Sequence, residues 1–145
     1  MIKVILALTS PKLRLNEGSL SEKHMRILVI DDEKTLAETL AMILRQAGHE
    51  AAVAYDGPAA LERATSFQPD CVISDVIMPG MNGIDTCAII KSKHPKSHIL
   101  LFSGQAETNG LIEEAHAKGY RWELLAKPVE PDELLGKLAL LEQTT

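Results

Sequence analysis

Cys71-Val72-Ile73-Ser74-Asp75-Val76-Ile77-Met78-Pro79-Gly80-Met81-Asn82-Gly83 is an apolar run that ends on a carboxylate and then breaks into a turn. Val72 and Ile73 fit a short buried strand, since a brief apolar run bounded by turn residues suits a parallel sheet covered on both faces. Pro79-Gly80 and Asn82-Gly83 punctuate the loop that follows. Asp75 thus stands at the carboxyl end of a strand, where open α/β sheets bind ligands. Alone, it would read as an Asp that starts a turn. Three other segments change that reading. Ile27-Leu28-Val29-Ile30 runs into Asp31-Asp32-Glu33, Ile99-Leu100-Leu101-Phe102 into Ser103-Gly104, and Leu124-Leu125-Ala126 into Lys127-Pro128. Parallel strands would deliver all of these polar groups to one edge of a sheet, where they make a site.

The pattern outside these segments is an alternation of strand and helix. The first strand covers Arg26 to Ile30, and a helix from about Lys34 to Ala47 follows, with Leu36, Leu40, Ile43 and Leu44 at helical spacing and Gly48 as its stop. Glu50 to Tyr55 reads as a second strand, and Gly57-Pro58 opens a helix to about Phe67, with Pro in the first turn where it is tolerated. Beyond the Asp75 loop a helix from Ile84 to about Lys93 stops before Pro95. His98 to Phe102 is the fourth strand, Glu107 to Lys118 the fourth helix, Trp122 to Ala126 the fifth strand, and Pro131 opens a last helix to about Leu141. Five strands alternating with five helices predict β-α-β crossovers and one doubly wound parallel sheet of the α/β class.

Residues 1–24 are expected to be a loose extension or an over-read start, because Met25 leads directly into the first core strand. Ile2 to Leu8 is apolar but too short to span a membrane and lacks the features of a signal peptide. The chain, with 46% hydrophobic and 24% charged residues, is of ordinary globular composition and long enough for one domain, expected over residues 25–145. Its net charge of -5 argues against nucleic acid as a partner, since phosphate backbones call for a surplus of Lys and Arg. Cys71 falls in a buried strand and Cys87 on a helix, which suits thiols in a reducing cytoplasm better than a disulfide or a metal site. The five histidines show no ligand spacing, and no membrane partner is expected.

Asp31, Asp32 and Asp75 gathered at one edge would repel one another. Two carboxylates about 4 Å apart cost roughly 4 kcal/mol at an effective dielectric of about 20, so the three call for a counter-charge. Oxygen ligands favour a hard cation, and Mg²⁺ accepts one or two carboxylates together with a substrate phosphate. A carboxylate beside that ion can attack a phosphoryl group, with Lys127 and Ser103 neutralising the equatorial oxygens.

The paired Asp31-Asp32, the loop from Asp75 through Met78-Pro79-Gly80-Met81-Asn82-Gly83, Ser103 after a buried strand, and Lys127-Pro128 together resemble the receiver domain of two-component response regulators, over about Met25 to Leu141. The resemblance implies a flavodoxin-like sheet of order 2-1-3-4-5. It implies that Asp75 accepts a phosphoryl group from a histidine kinase or histidine phosphotransfer protein, and that Asp31, Asp32, Asp75 and the Ile77 carbonyl hold Mg²⁺. Ser103 and Lys127 would bind the phosphoryl oxygens, and Lys127-Pro128 would be cis, an isomer largely confined to proline. The expected output is a stand-alone switch, not a turnover enzyme, acting on a separate protein through the fourth helix, fifth strand and fifth helix.

Some positions depart from the family pattern. Leu124 stands where a switching Tyr or Phe is usual, and Gly119 lies one residue farther from Lys127 than usual. Trp122 shares a strand side with Leu124 and has two readings, as part of the output face or as packing against the fourth helix. Ile77 places a bulky apolar group near the acceptor, where it would hinder water and prolong the phosphoryl lifetime. The alternatives are a phosphatase working through an aspartyl-phosphate, a nucleotide-binding module and an unphosphorylated receiver. Such phosphatases carry a second Asp where Ile77 stands, the loop after the first strand lacks a glycine-rich cradle, and the full set of site residues argues against the third.

Overall fold

The computed structural model describes residues 24–104 and 109–143. Five strands, β1 (Arg26–Ile30), β2 (Glu50–Ala54), β3 (Cys71–Asp75), β4 (His98–Ser103) and β5 (Glu123–Ala126), alternate with five helices. The helices are α1 (Lys34–Gln46), α2 (Gly57–Phe67), α3 (Gly83–Lys93), α4 (Asn109–Ala117) and α5 (Pro131–Glu142). All strand pairs are parallel and the sheet order is β2-β1-β3-β4-β5, as the flavodoxin-like expectation requires. The expected extension at 1–24 and the start of the fourth helix at Glu107 fall almost wholly outside the described residues. Among the described residues no helix is long and apolar enough to cross a membrane.

The strands are apolar on both sides because the sheet is covered on both sides. Ile27, Val29, Ile73, Leu100 and Phe102 pack with Leu40 and Leu44 of α1 and Leu134 and Leu138 of α5. The alternate positions Leu28, Ile30, Val72, Ile99 and Leu101 pack with Ala60 and Ala64 of α2, Ile84, Cys87 and Ile90 of α3, and Ala115 of α4. This period of two within continuous apolar runs is what a doubly covered parallel strand demands. The buried stripe of α1 is completed by Ala37 and Ala41, while the predicted Leu36 and Ile43 are half-buried at its flank.

The structure starts β5 one residue later than the sequence suggests. Its ladder with β4 opens at Leu100 and Glu123, and Trp122 lies before it. The Trp122 ring stacks on Tyr120 with centroids 4.7 Å apart and planes 14° from parallel. Both rings pack against the cluster that holds Ala115 and the half-buried Leu111 and Ile112 of α4. Trp122 is thus half-buried against the core on the side covered by α2, α3 and α4.

Local signals place the helix starts. Asp56 caps α2 by accepting a hydrogen bond from the Ala59 amide at 2.8 Å, and Asn82 caps α3 through the Asp85 amide at 2.8 Å. The two caps are brought side by side by Gly57. A methyl carbon there would lie 2.8 Å from Thr86 Oγ1 and 2.9 Å from both Cβ and Sδ of Met81. Thr86 cannot simply retreat, because it is fully buried and donates to the Asn82 carbonyl at 2.8 Å. Gly57→Ala is therefore expected to lower stability by about 1–3 kcal/mol through overpacking, although alanine is ordinarily the better helix former. Urea unfolding measures this, and a midpoint equal to or above that of the wild type would contradict it.

Candidate functional site

The carboxyl ends of β1, β3, β4 and β5 converge at one edge of the sheet. Asp31 follows β1 directly, and its amide donates to the Ala54 carbonyl of β2 at 3.1 Å, so its backbone is held as an extension of the sheet. The Asp31 side chain is fully buried. Its Oδ1 accepts from the Glu33 amide at 2.9 Å, but its Oδ2 has no hydrogen-bond partner. Asp75, the last residue of β3, is 7% exposed, and its Oδ2 accepts from Lys127 Nζ at 3.0 Å. The same ammonium is 3.8 Å from Asp31 Oδ2, near enough to pair in charge but not to hydrogen bond. Asp32 is exposed at the rim, and one oxygen from each of Asp31, Asp32 and Asp75 falls within 4.8 Å of the others.

This crowding is written into the acidities. Burial pushes the Asp31 carboxyl up to about 6, and the neighbouring charges of Asp75 and Asp32 push the same way against the Glu33 amide and Lys127. Burial alone would lower the Lys127 ammonium, but the hydrogen bond and charge of Asp75, with Asp31, outweigh it and hold the group above the ordinary lysine range. Lys127 thus stays charged, yet one ammonium does not neutralise three carboxylates. An orphaned buried oxygen facing two further carboxylates, with only oxygen donors to offer, fits a hard divalent cation.

The remaining predicted residues lie at the same end of the sheet or in the loops beyond it. Ser103 closes β4, and its carbonyl accepts from the Lys127 amide at 3.2 Å, so the two join through the backbone. The Lys127-Pro128 peptide is cis. Ile77 lies in the loop after β3 with 44% of its surface exposed. That loop closes tightly. The Gly83 amide donates to the Val76 carbonyl at 2.8 Å, and a methyl carbon at Gly83 would sit 1.8 Å from the Asp75 carbonyl oxygen. Leu124, at the position of the usual aromatic, is 38% exposed. Two contributors escaped the sequence analysis: the Glu33 amide that holds Asp31, and the Ser74 hydroxyl, which donates to the Asp75 carbonyl at 2.9 Å. A polar residue inside the apolar β3 run was the available signal for Ser74.

Residues 27–139 match the family described as the response regulator receiver domain. The chain belongs to the response regulator receiver family. As a receiver domain it is 36% identical over 117 residues to the DNA-binding response regulator MtrA of Mycolicibacterium paratuberculosis, covering 79% of this chain and 50% of that protein. It is 33% identical over 113 residues to the sensory transduction protein RegX3 of Mycobacterium bovis, covering 77% of this chain and 48% of that protein. The chain spans about half the length of the curated relatives it matches. Among solved structures, the chemotaxis protein CheY4 of Vibrio cholerae superposes on the receiver with a TM-score of 0.72 at 29% identity, covering 81% of this chain and 98% of that one. The receiver domain of Francisella response regulator 1452 gives 0.70 at 26% identity, covering 83% and 98%.

The acidity of Asp31 has a consequence for the receiver without a cation. Because the folded value lies above the ordinary 3.8, the folded chain binds this proton more tightly than the unfolded chain. The associated stability is full below about pH 4 and is lost as pH rises through about 6. Near pH 8, with a chelator present, Asp31→Asn is expected to raise stability by about 1–3 kcal/mol, an advantage that shrinks toward pH 5. Urea titrations at the two pH values check it, and a variant no more stable than wild type near pH 8 would contradict the charge-crowding account.

Proposed function

We propose that Asp75 accepts a phosphoryl group from the phosphohistidine of a histidine kinase or histidine phosphotransfer protein, and that the receiver spans residues 25–145. The observation that carries this is the Asp75 carboxylate, nearly buried yet set 3.0 Å from Lys127 among the carboxylates of Asp31 and Asp32. Asp31, Asp32, Asp75 and the Ile77 carbonyl would hold Mg²⁺, which when bound supplies charge neutralisation for the pocket and for the phosphoryl oxygens. The side chains do the rest. A carboxylate oxygen of Asp75 forms the new bond to phosphorus as the bond from phosphorus to the donor imidazole nitrogen breaks, and the imidazole leaves. Lys127, kept protonated, gives up its hydrogen bond to the free carboxylate and takes a phosphoryl oxygen. Ser103 donates to another. Self-phosphorylation and its reversal by water are the whole of the chemistry, so the chain acts as a switch and not as a turnover enzyme.

Lys127 lies just past β5, and the segment after it leads into α5. A contact from Lys127 to a phosphoryl group would bias that segment toward one of two arrangements. The face made by α4, β5 and α5 is suited to report the change to a separate output protein. It carries exposed Leu124 and Leu140, and Lys137 of α5 pairs with Glu123 of β5 at 3.1 Å. The buried free thiols of Cys71 and Cys87, both pushed up by burial, support a reducing cytoplasm as the compartment.

Incubation with acetyl phosphate and Mg²⁺ tests the acceptor. Wild type is expected to gain the mass of one phosphoryl group, removable by hydroxylamine, and Asp75→Ala none. Turnover of unrelated phosphate esters by the wild type would point instead to a phosphatase. Ile77 is exposed in the loop two residues after Asp75, and in this reading its bulk obstructs a water approaching phosphorus. Ile77→Asn is therefore expected to shorten the phosphoryl lifetime several-fold in a decay assay by intact mass, and an unchanged or longer lifetime would remove Ile77 from this role.

A further inference from the structure

Ser74 is fully buried between Ile73 and Asp75 in a strand that is otherwise apolar up to its terminal acid. An unpartnered hydroxyl in such a place costs roughly 1–3 kcal/mol, so its partners indicate its use. Its Oγ donates to the Asp75 carbonyl at 2.9 Å. On the β1 side the ladder ends at Ile30 and Ser74, one residue before Asp75, which pairs only with Phe102 of β4. The hydroxyl also lies close to the buried Cys87 thiol of α3. A methyl carbon at Gly83 would lie 2.8 Å from the same Oγ. The hydroxyl therefore sits in a seam where the last peptide of β3, the first residue of α3 and the second turn of α3 meet. The residues between, Val76 to Asn82, form a loop whose two ends are both anchored at that seam, through Ser74 and through the Gly83 amide on the Val76 carbonyl at 2.8 Å.

We propose that Ser74 is a positioning residue for the cation: its hydroxyl fixes the peptide that leaves Asp75 and so sets the direction of the Ile77 carbonyl two residues on. It touches neither the cation nor the phosphoryl group, and acts through the backbone. The Asp75 carbonyl is held by Ser74 and the Val76 carbonyl by the Gly83 amide, so both peptides that precede the Ile77 carbonyl are fixed and only the Ile77 torsions separate them from it. The inference rests on the proposed Mg²⁺ site and deepens it.

Two measurements on the full chain test it. Titration calorimetry with Mg²⁺ should show Ser74→Ala binding roughly 10-fold more weakly than wild type, the range seen when groups that orient a ligand are removed. Cys87→Ala, which keeps the bond from Ser74 to Asp75, should bind as wild type does. Amide hydrogen exchange on the metal-free protein should show the Gly83 amide of Ser74→Ala exchanging faster while Leu28 and Leu100 stay protected. Equal Mg²⁺ affinity in Ser74→Ala and wild type would overturn the inference. So would an equal loss in Cys87→Ala, or a uniform rise in exchange at all three amides, since either makes Ser74 a packing residue. A wild type that fails to bind Mg²⁺ would instead remove the proposed function itself.

Discussion

Three carboxylates brought to one edge of a parallel sheet, against a single lysine, are the constraint on which this structure turns. Asp75 ends β3 and Asp31 directly follows β1, so the repulsion between these two buried carboxylates cannot be relieved by a side chain swinging away without loosening the backbone that carries it, while Asp32 stands at the exposed rim. Lys127 offsets part of it through its 3.0 Å bond to Asp75 and its more distant approach to Asp31. Asp31 remains a weakened acid, its carboxyl pushed up first by burial and then by the charges of Asp75 and Asp32, and one of its oxygens has no hydrogen-bond partner. A site in that condition has a standing need for positive charge, which Lys127 meets in part and which a hard cation would meet further.

The rest of the fold makes that crowding tolerable. The two apolar layers, one with α1 and α5 and the other with α2, α3 and α4, hold the strands in register whatever the charge at their ends. Burial of residues such as Phe102, Leu100 and Ile73 on one side and Leu28 and Val72 on the other gives a rigid platform. The loop from Val76 to Asn82 is tied down separately. Gly57 admits Met81 and Thr86 at the start of α2, and Gly83 admits the Asp75 carbonyl at the start of α3. Small residues at these two points bring three helix and strand ends together at distances that any Cβ would prevent.

Trp122, just before β5, and Leu124, within it, divide the apolar surface of this region between them. With a leucine where the family usually has an aromatic, the bulk in this region comes from Tyr120 and Trp122, stacked on each other and seated against the α4 side of the core. Leu124 itself is partly exposed on β5, on the opposite side of the strand from Glu123, which pairs with Lys137 of α5. An apolar group at that point leaves the face less polar than a tyrosine would, which bears on the chemistry of whatever docks there.

The alternation of apolar runs with turn residues was enough to establish the strand and helix order, the two-sided burial of the sheet and the gathering of Asp31, Asp32, Asp75 and Lys127 at one edge, because strand direction and side-chain period are local properties of the chain. The motif residues were equally legible, since their types and their places after apolar runs carry the chemistry. Contacts between segments far apart in sequence were not legible: the Asp31 oxygen left without a partner, the 3.0 Å reach of Lys127 to Asp75, the docking of Trp122 on Tyr120 and the narrow fit at Gly57. These depend on distances of a few ångströms between side chains that only the packed sheet and its helices bring together, and no periodicity along the polymer encodes them.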